Sequence, residues 1–132
     1  MSCVIHTDGS CLKNPGGPGG WAFLLEEHGE RALLVSGGNR STTNNRMELQ
    51  AVVEALIVSN CSCCTIYSDS QLTIKCAKGD WKRKSNMDLW SAFEDASVGK
   101  TIEWIWVKGH SGDLRNDIVD VAARQEAKNI CK

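Results

Sequence analysis

Thr43-Asn44-Asn45-Arg46-Met47-Glu48-Leu49-Gln50-Ala51-Val52-Val53-Glu54-Ala55-Leu56-Ile57-Val58 is the stretch where the chain changes character. Met47, Ala51, Val52, Ala55, Leu56 and Val58 recur at helical spacing and form an apolar stripe that ends near Ser59-Asn60. On its N-terminal side, residues 3–11, 21–27 and 31–36 each read as a strand, joined by turn-rich segments at Asn14-Pro15-Gly16-Gly17-Pro18-Gly19-Gly20 and around Gly29. Two consecutive hairpins result. On its C-terminal side the spacing predicts a strand over 64–68, a short helix over 70–78 and a helix over 87–97 carrying Leu89, Trp90 and Phe93. A strand over 101–107 and a closing helix over 116–130 complete the chain. Antiparallel strands first and strand-helix units afterwards predict an α/β fold, a mixed sheet with helices packed on it.

With 132 residues, 42% of them hydrophobic, the expectation is a single domain over 1–132. Lys and Arg number 15 against 16 Asp and Glu, so the net charge of -1 supplies no long-range attraction to nucleic acid, and any such binding must come from a local patch. The N-terminus lacks a charged region followed by an apolar one, and no stretch approaches the ~18 apolar residues of a membrane span, so a cytoplasmic protein without a membrane partner is expected. Seven cysteines without a secretion signal predict reduced thiols. One C-x-x-C, within Cys61-Ser62-Cys63-Cys64, has no second pair at a spacing that suits structural zinc. Gly16 to Gly20 lacks the Gly-Lys-Ser/Thr ending of a phosphate loop and reads as a hairpin turn.

Four acids stand out: Asp8 in Thr7-Asp8-Gly9-Ser10, Glu48, Asp69 in Tyr67-Ser68-Asp69-Ser70-Gln71, and Asp120 downstream of Gly109-His110-Ser111-Gly112. Asp8 sits inside a strand, where Asp is disfavoured, beside a glycine that permits close approach, although Asp-Gly-Ser also suits a strand-end turn. Glu48 shares a helical face with Ala51, Val52 and Ala55, so it enters the core and needs a partner, unless it lies at the rim and reaches solvent. Asp69 falls at the carboxyl end of a strand, where ligands of such sheets collect, but can equally be an N-cap, as can Ser68 or Ser70. Asp120, like Asp117, is favoured near a helix start by the dipole alone. What distinguishes it is the glycine-containing loop before it, which presents His110, a group able to shuttle protons near neutral pH. Together the acids suit magnesium, which takes oxygen ligands from a few carboxylates plus substrate phosphates and so points to phosphoryl chemistry.

Thr7-Asp8-Gly9-Ser10, Asn14-Pro15-Gly16, Thr42-Thr43-Asn44-Asn45-Arg46-Met47-Glu48-Leu49, Tyr67-Ser68-Asp69-Ser70-Gln71, Asp88-Leu89-Trp90, Trp106-Val107-Lys108-Gly109-His110 and Asn116 with Asp120 resemble, in order and over nearly the whole chain, type 1 ribonuclease H. The resemblance implies a five-stranded mixed sheet of order 3-2-1-4-5 flanked by helices. It also implies an endonuclease that cuts the RNA strand of an RNA/DNA hybrid and leaves 5′-phosphate and 3′-hydroxyl ends. Asp8, Glu48, Asp69 and Asp120 would hold two Mg2+ ions, with Mn2+ a substitute. One ion would activate water for in-line attack, the other would stabilise the departing oxygen, and His110 would assist proton transfer or product release. Asn14, Asn44, Asn45, Gln71 and Asn116 match positions that hold the hybrid, where amides can read the 2′-hydroxyl; turn and cap chemistry is their other use. Thr43 resembles a residue that grips a DNA phosphate, but the arginine that joins it in relatives falls at Ser41, next to Arg40.

The segment between Gln71 and Asp88 is short where some bacterial relatives carry a long basic protrusion. Lys78, Lys82, Arg83 and Lys84 can contact phosphates there, and Trp81 can either lie against DNA or pack in the core. Weak, salt-sensitive binding, low processivity and a monomer are expected. The alternatives are an integrase-like or resolvase-like DNA nuclease on the same fold, against which the Asn44-Asn45, Gln71 and Gly109-His110 features weigh, and a catalytically inactive hybrid-binding module, against which the complete set of acids weighs.

Overall fold

The computed structural model describes residues 2–27, 32–109 and 113–131. Among these, strands β1 (Ser2–Cys11), β2 (Gly19–Glu27) and β3 (Leu33–Asn39) precede helix α1 (Asn44–Val58). Strand β4 (Cys63–Ser68), helices α2 (Gln71–Lys78) and α3 (Met87–Ala96), strand β5 (Thr101–Trp106) and helix α4 (Leu114–Cys131) follow. The sheet order is β3-β2-β1-β4-β5. β1 pairs antiparallel with β2 and parallel with β4, so the hairpin half and the strand-helix half of the sequence meet on β1. This is the mixed sheet that the pattern predicts.

Alternation along β1 assigns its two faces. Cys3 and Ile5 point into the main core with Phe23, Leu49, Val52, Leu56, Ile66, Trp90 and Phe93, under α1 and α3. On the other face Ala22 and Leu24 pack against Val119 and Ala123 of α4, and His6 and Asp8 stand opposite Leu24 and Ala22 in the register. The acid at position 8 therefore lies between β1 and the helix that carries Asp120. Thr43 caps α1, its hydroxyl accepting from the Arg46 N–H at 3.1 Å. Because α1 contacts both the sheet and α3, its buried surface extends beyond one stripe to Leu49 and Val53. Val58, read as part of the stripe, is 41% exposed, since the helix runs off the core there.

Two boundaries differ from the sequence expectation for one physical reason. Gly19 and Gly20, read as turn residues, begin β2, and Gly37 to Asn39 extend β3 beyond position 36. A β-carbon on Gly20 would lie 2.1 Å from the Ala123 carbonyl oxygen of α4, and one on Gly37 would lie 2.5 Å from the Trp21 indole. These glycines are not turns but places where a helix backbone or an aromatic ring rests directly on the sheet. The predicted turn around Gly29 and the start of the strand at Arg31 lie outside the described residues. Among the described residues no helix is long and apolar enough to cross a membrane.

Candidate active site

β1 ends beside the start of α1, and β4 ends beside both. Gly9 makes this approach feasible, because a β-carbon there would lie 2.3 Å from the Glu48 nitrogen. The α1 backbone thus rests on β1 next to Asp8, and carboxylate oxygens of Asp8, Glu48 and Asp69 come within 4.8 Å of one another. The Gly9 N–H donates to Asp8 Oδ1 at 2.8 Å and to Glu48 Oε1 at 3.1 Å. Asp8 and Glu48 are 6% and 8% exposed, while Asp69 lies on the solvent side. Glu48 is therefore not at a solvated rim.

Burial is the main cause that pushes Asp8 up to about 7; the charges of Asp69 and Asp120 add to it, and hydrogen bonds with Glu48 and Gly9 oppose it. Burial first, and the charge of Asp8 second, raise Glu48 well above the ordinary carboxylate range. Glu48 Oε2 is buried with no hydrogen-bond partner among the described residues. Three carboxyl groups that repel one another, one with an oxygen left unpaired, fit an oxygen-liganded divalent cation, which supplies both the missing partner and the missing charge.

Asp69 is not the cap of α2. Ser70 holds that position, its Oγ accepting from the Thr73 N–H at 3.1 Å, and Ser68 Oγ accepts from the Ser70 N–H at 3.1 Å. With the hydroxyls supplying the turn, the Asp69 carboxylate faces the cavity. The Trp106 indole N–H fixes its backbone by donating to the Asp69 carbonyl at 3.1 Å. Asp120 sits beyond the first turn of α4, in which Asp117 is the acid, so the dipole is not what places it. It lines a cavity of about 380 Å³ with Asp8, Gly9, Glu48, Asp69 and Arg124. It stands outside the 4.8 Å group, with its carboxylate on Arg124: Nε donates to Oδ1 at 3.0 Å and a terminal nitrogen donates to Oδ2. Arg124 is a site residue that the sequence reading missed, although its spacing of four from Asp120 was the available signal. His110 lies outside the described residues. Lys108 and Gly109, which lead to it, border a small space with Asp8, Asp69, Asn116 and Asp120.

Of the residues expected to hold substrate, Asn44 and Asn45 line this cavity, Asn116 borders the small space beside it and Trp81 lies in a separate groove. Asn44 and Asn45 are exposed, and Asn14 Oδ1 accepts the Asn44 N–H at 3.1 Å, tying the β1–β2 loop to α1. Gln71 is exposed at the first position of α2, and Asn116 Nδ2 is buried without a partner among the described residues. Ser41, at the position of the arginine in relatives, hydrogen-bonds the Gly16 carbonyl at 2.9 Å. Trp81 is 46% exposed, which rules out the core reading. It lines a groove of about 460 Å³ with Asn45, Lys82, Lys84 and Asn86. Arg83 lines the same groove and lies 4.2 Å over the Trp90 ring, binds Glu94 at 2.6 Å and donates to the Cys76 carbonyl at 3.1 Å. These contacts tie the segment after α2 to α3. Another arginine, Arg46, grips Asp88 at 2.7 and 3.0 Å and Asn86 at 3.2 Å, joining the starts of α1 and α3 and drawing Asp88 down to about 2.

Comparison with known proteins gives one answer by three routes. The family model RNase H matches residues 1–128. A ribonuclease H of Neorickettsia sennetsu is 39% identical over 142 aligned positions, covering 96% of this chain and 93% of that protein. Among solved structures, the N-terminal RNase H domain of a Mycobacterium tuberculosis protein superposes with a TM-score of 0.87 at 22% identity, covering 99% and 96% of the two chains. LC11-RNase H1, solved in complex with an RNA/DNA hybrid, superposes with a TM-score of 0.82 at 17% identity, covering 98% and 99%.

Proposed function

Because the chain belongs to the ribonuclease H family, whose members hydrolyse the RNA strand of RNA/DNA hybrids, we propose that Asp8, Glu48, Asp69 and Asp120 hold two Mg2+ ions, with Mn2+ able to substitute. The observation that carries this reading is the convergence of three carboxylates within 4.8 Å, with Glu48 Oε2 buried and unpaired among the described residues. When bound, such ions supply charge stabilisation for the attacking and departing oxygens of phosphodiester hydrolysis. The chain's own groups set the stage. Gly9 orients Asp8 and Glu48 through one N–H, Ser70 leaves Asp69 to the cavity, and Asn44, Asn45, Gln71 and Asn116 offer amides to the backbone of the hybrid and its 2′-hydroxyls. Thr43 keeps its hydroxyl proton to donate to a DNA phosphate, Asn14 braces Asn44, and His110 serves proton transfer. Trp81 stacks on the DNA strand in the groove, beside Lys82 and Lys84.

The products on this reading carry 5′-phosphate and 3′-hydroxyl ends, and the protein works as a cytoplasmic monomer. The test is cleavage of labelled RNA/DNA, RNA/RNA and DNA/DNA duplexes with Mg2+, with EDTA, and by Asp69→Asn. Activity is expected only on the hybrid, with metal, in the wild type. Cleavage that survives EDTA refutes the metal reading, and cleavage of DNA duplexes returns the DNA nuclease to consideration.

A further inference from the structure

Arg124 lines the cavity with Asp8, Glu48, Asp69 and Asp120, and it spans both oxygens of Asp120. We propose that Arg124 is a positioning residue: its two-pronged grip sets the orientation in which Asp120 serves the divalent-ion site. The proposal rests on the metal-site reading above.

Three observations carry it. First, the pair joins positions four apart on α4, with side-chain exposures of 46% and 22%; exposed pairs of this kind add little to helix stability, so stability does not explain it. Second, the backbone of α4 is already seated by Val119, Ala123 and Ala127, all 0% exposed, and by the Arg115–Glu26 pair at 2.6 Å. The grip on Asp120 therefore adds side-chain orientation rather than helix placement. Third, a carboxylate has about four lone-pair positions, so two N–H donors leave others open to a cation. The charge of Asp8 also acts on Arg124, which places the guanidinium within electrostatic reach of the buried acids.

The experiment titrates Mn2+, followed by electron paramagnetic resonance, into the wild type, Arg124→Ala, Arg124→Lys, Asp120→Asn and the Arg124→Ala/Asp120→Asn double variant, with circular dichroism melts as the folding control. Outer partners of ligating carboxylates typically alter metal affinity about 10- to 100-fold, so Arg124→Ala is expected to weaken Mn2+ binding within that range. Lysine, which lacks the planar fork, restores little. In the Asp120→Asn background the Arg124→Ala change is silent. Mn2+ binding that needs Asp120 but is unaffected or tightened by Arg124→Ala overturns this proposal alone. An undiminished effect in the Asp120→Asn background also overturns it, since Arg124 would then act independently of Asp120. A wild type that binds no Mn2+ overturns the metal-site reading and this proposal together.

Discussion

In the metal-free protein, replacing Asp8 by Asn should stabilise the fold, and the gain should grow with pH. Asp8 shifts from 3.8 to about 7 on folding. Below pH ~4 both folded and unfolded chains hold the proton, and the substitution removes no charge. Between about 4 and 7 the unfolded chain releases its proton while the folded chain keeps it, so stability falls as pH rises, and the loss is complete above 7. A separation of about three pH units at about 1.4 kcal/mol each corresponds to about 4 kcal/mol at pH 8. Asp8→Asn recovers much of that, and it also relieves Glu48, on which the charge of Asp8 acts. Urea denaturation in EDTA at pH 4, 5.5 and 8 measures the difference. Mg2+ at about 100 times its Kd stabilises the folded wild type by about 2.7 kcal/mol, so it should cancel most of the advantage of Asp8→Asn at pH 8. An Asp8→Asn gain that is constant across pH, or absent at pH 8, refutes the argument that burial, with the neighbouring acids adding to it, keeps Asp8 protonated in the metal-free protein.

Other outcomes follow from the same geometry. Because an ion must displace a proton from Asp8, the apparent affinity for Mn2+ measured by calorimetry should fall as pH drops below about 7, with proton uptake by the buffer that is smaller in Asp8→Asn, where Glu48 is the remaining protonated acid. Arg46→Ala leaves Asp88 and Asn86 without their bridge from α1; Asp88 is exposed, so the loss of stability should stay within about 1 kcal/mol, while Km for the hybrid rises as the groove beside Asn45 loosens. Leu56→Ala empties a site at 1% exposure and should lower stability by about 2–5 kcal/mol in urea melts without altering the pH profile of cleavage. Trp106→Phe removes the donor to the Asp69 carbonyl and should reduce kcat more than Km in steady-state assays.

What the sequence could disclose follows from the range over which each signal acts. The switch at Thr43 from alternation to helical spacing is local, and the order of the elements follows from such signals, whereas α4 begins at Leu114, two residues before the expected start at 116. Asp8 and Glu48 were legible because an acid in a strand and an acid on an apolar helix face each break a local rule, whereas Asp69 broke none, a cap being an equal use of it, and stood out by its place at the carboxyl end of a strand. Gly19 and Gly20 were misread because a glycine that makes room for α4 looks, in one dimension, like a glycine that makes a turn. The arginines were the hardest. Whether Arg83 meets a phosphate or Glu94, whether Arg46 finds Asp88 forty-two positions away, and whether Asp120 looks toward Asp8 or Arg124 depend on partners that only folding assembles.

Gly20 carries a consequence for engineering. The Ala123 carbonyl would lie 2.1 Å from a β-carbon there, one residue before Arg124 and three after Asp120 on the same helix. A methyl group added to that strand would act as a shim, lifting α4 and drawing the fourth acid away from the other three. An alanine at position 20 would thus detune the nuclease without changing any group that meets the nucleic acid, and a second, compensating cut in side-chain size along α4 would be the natural way to retune it.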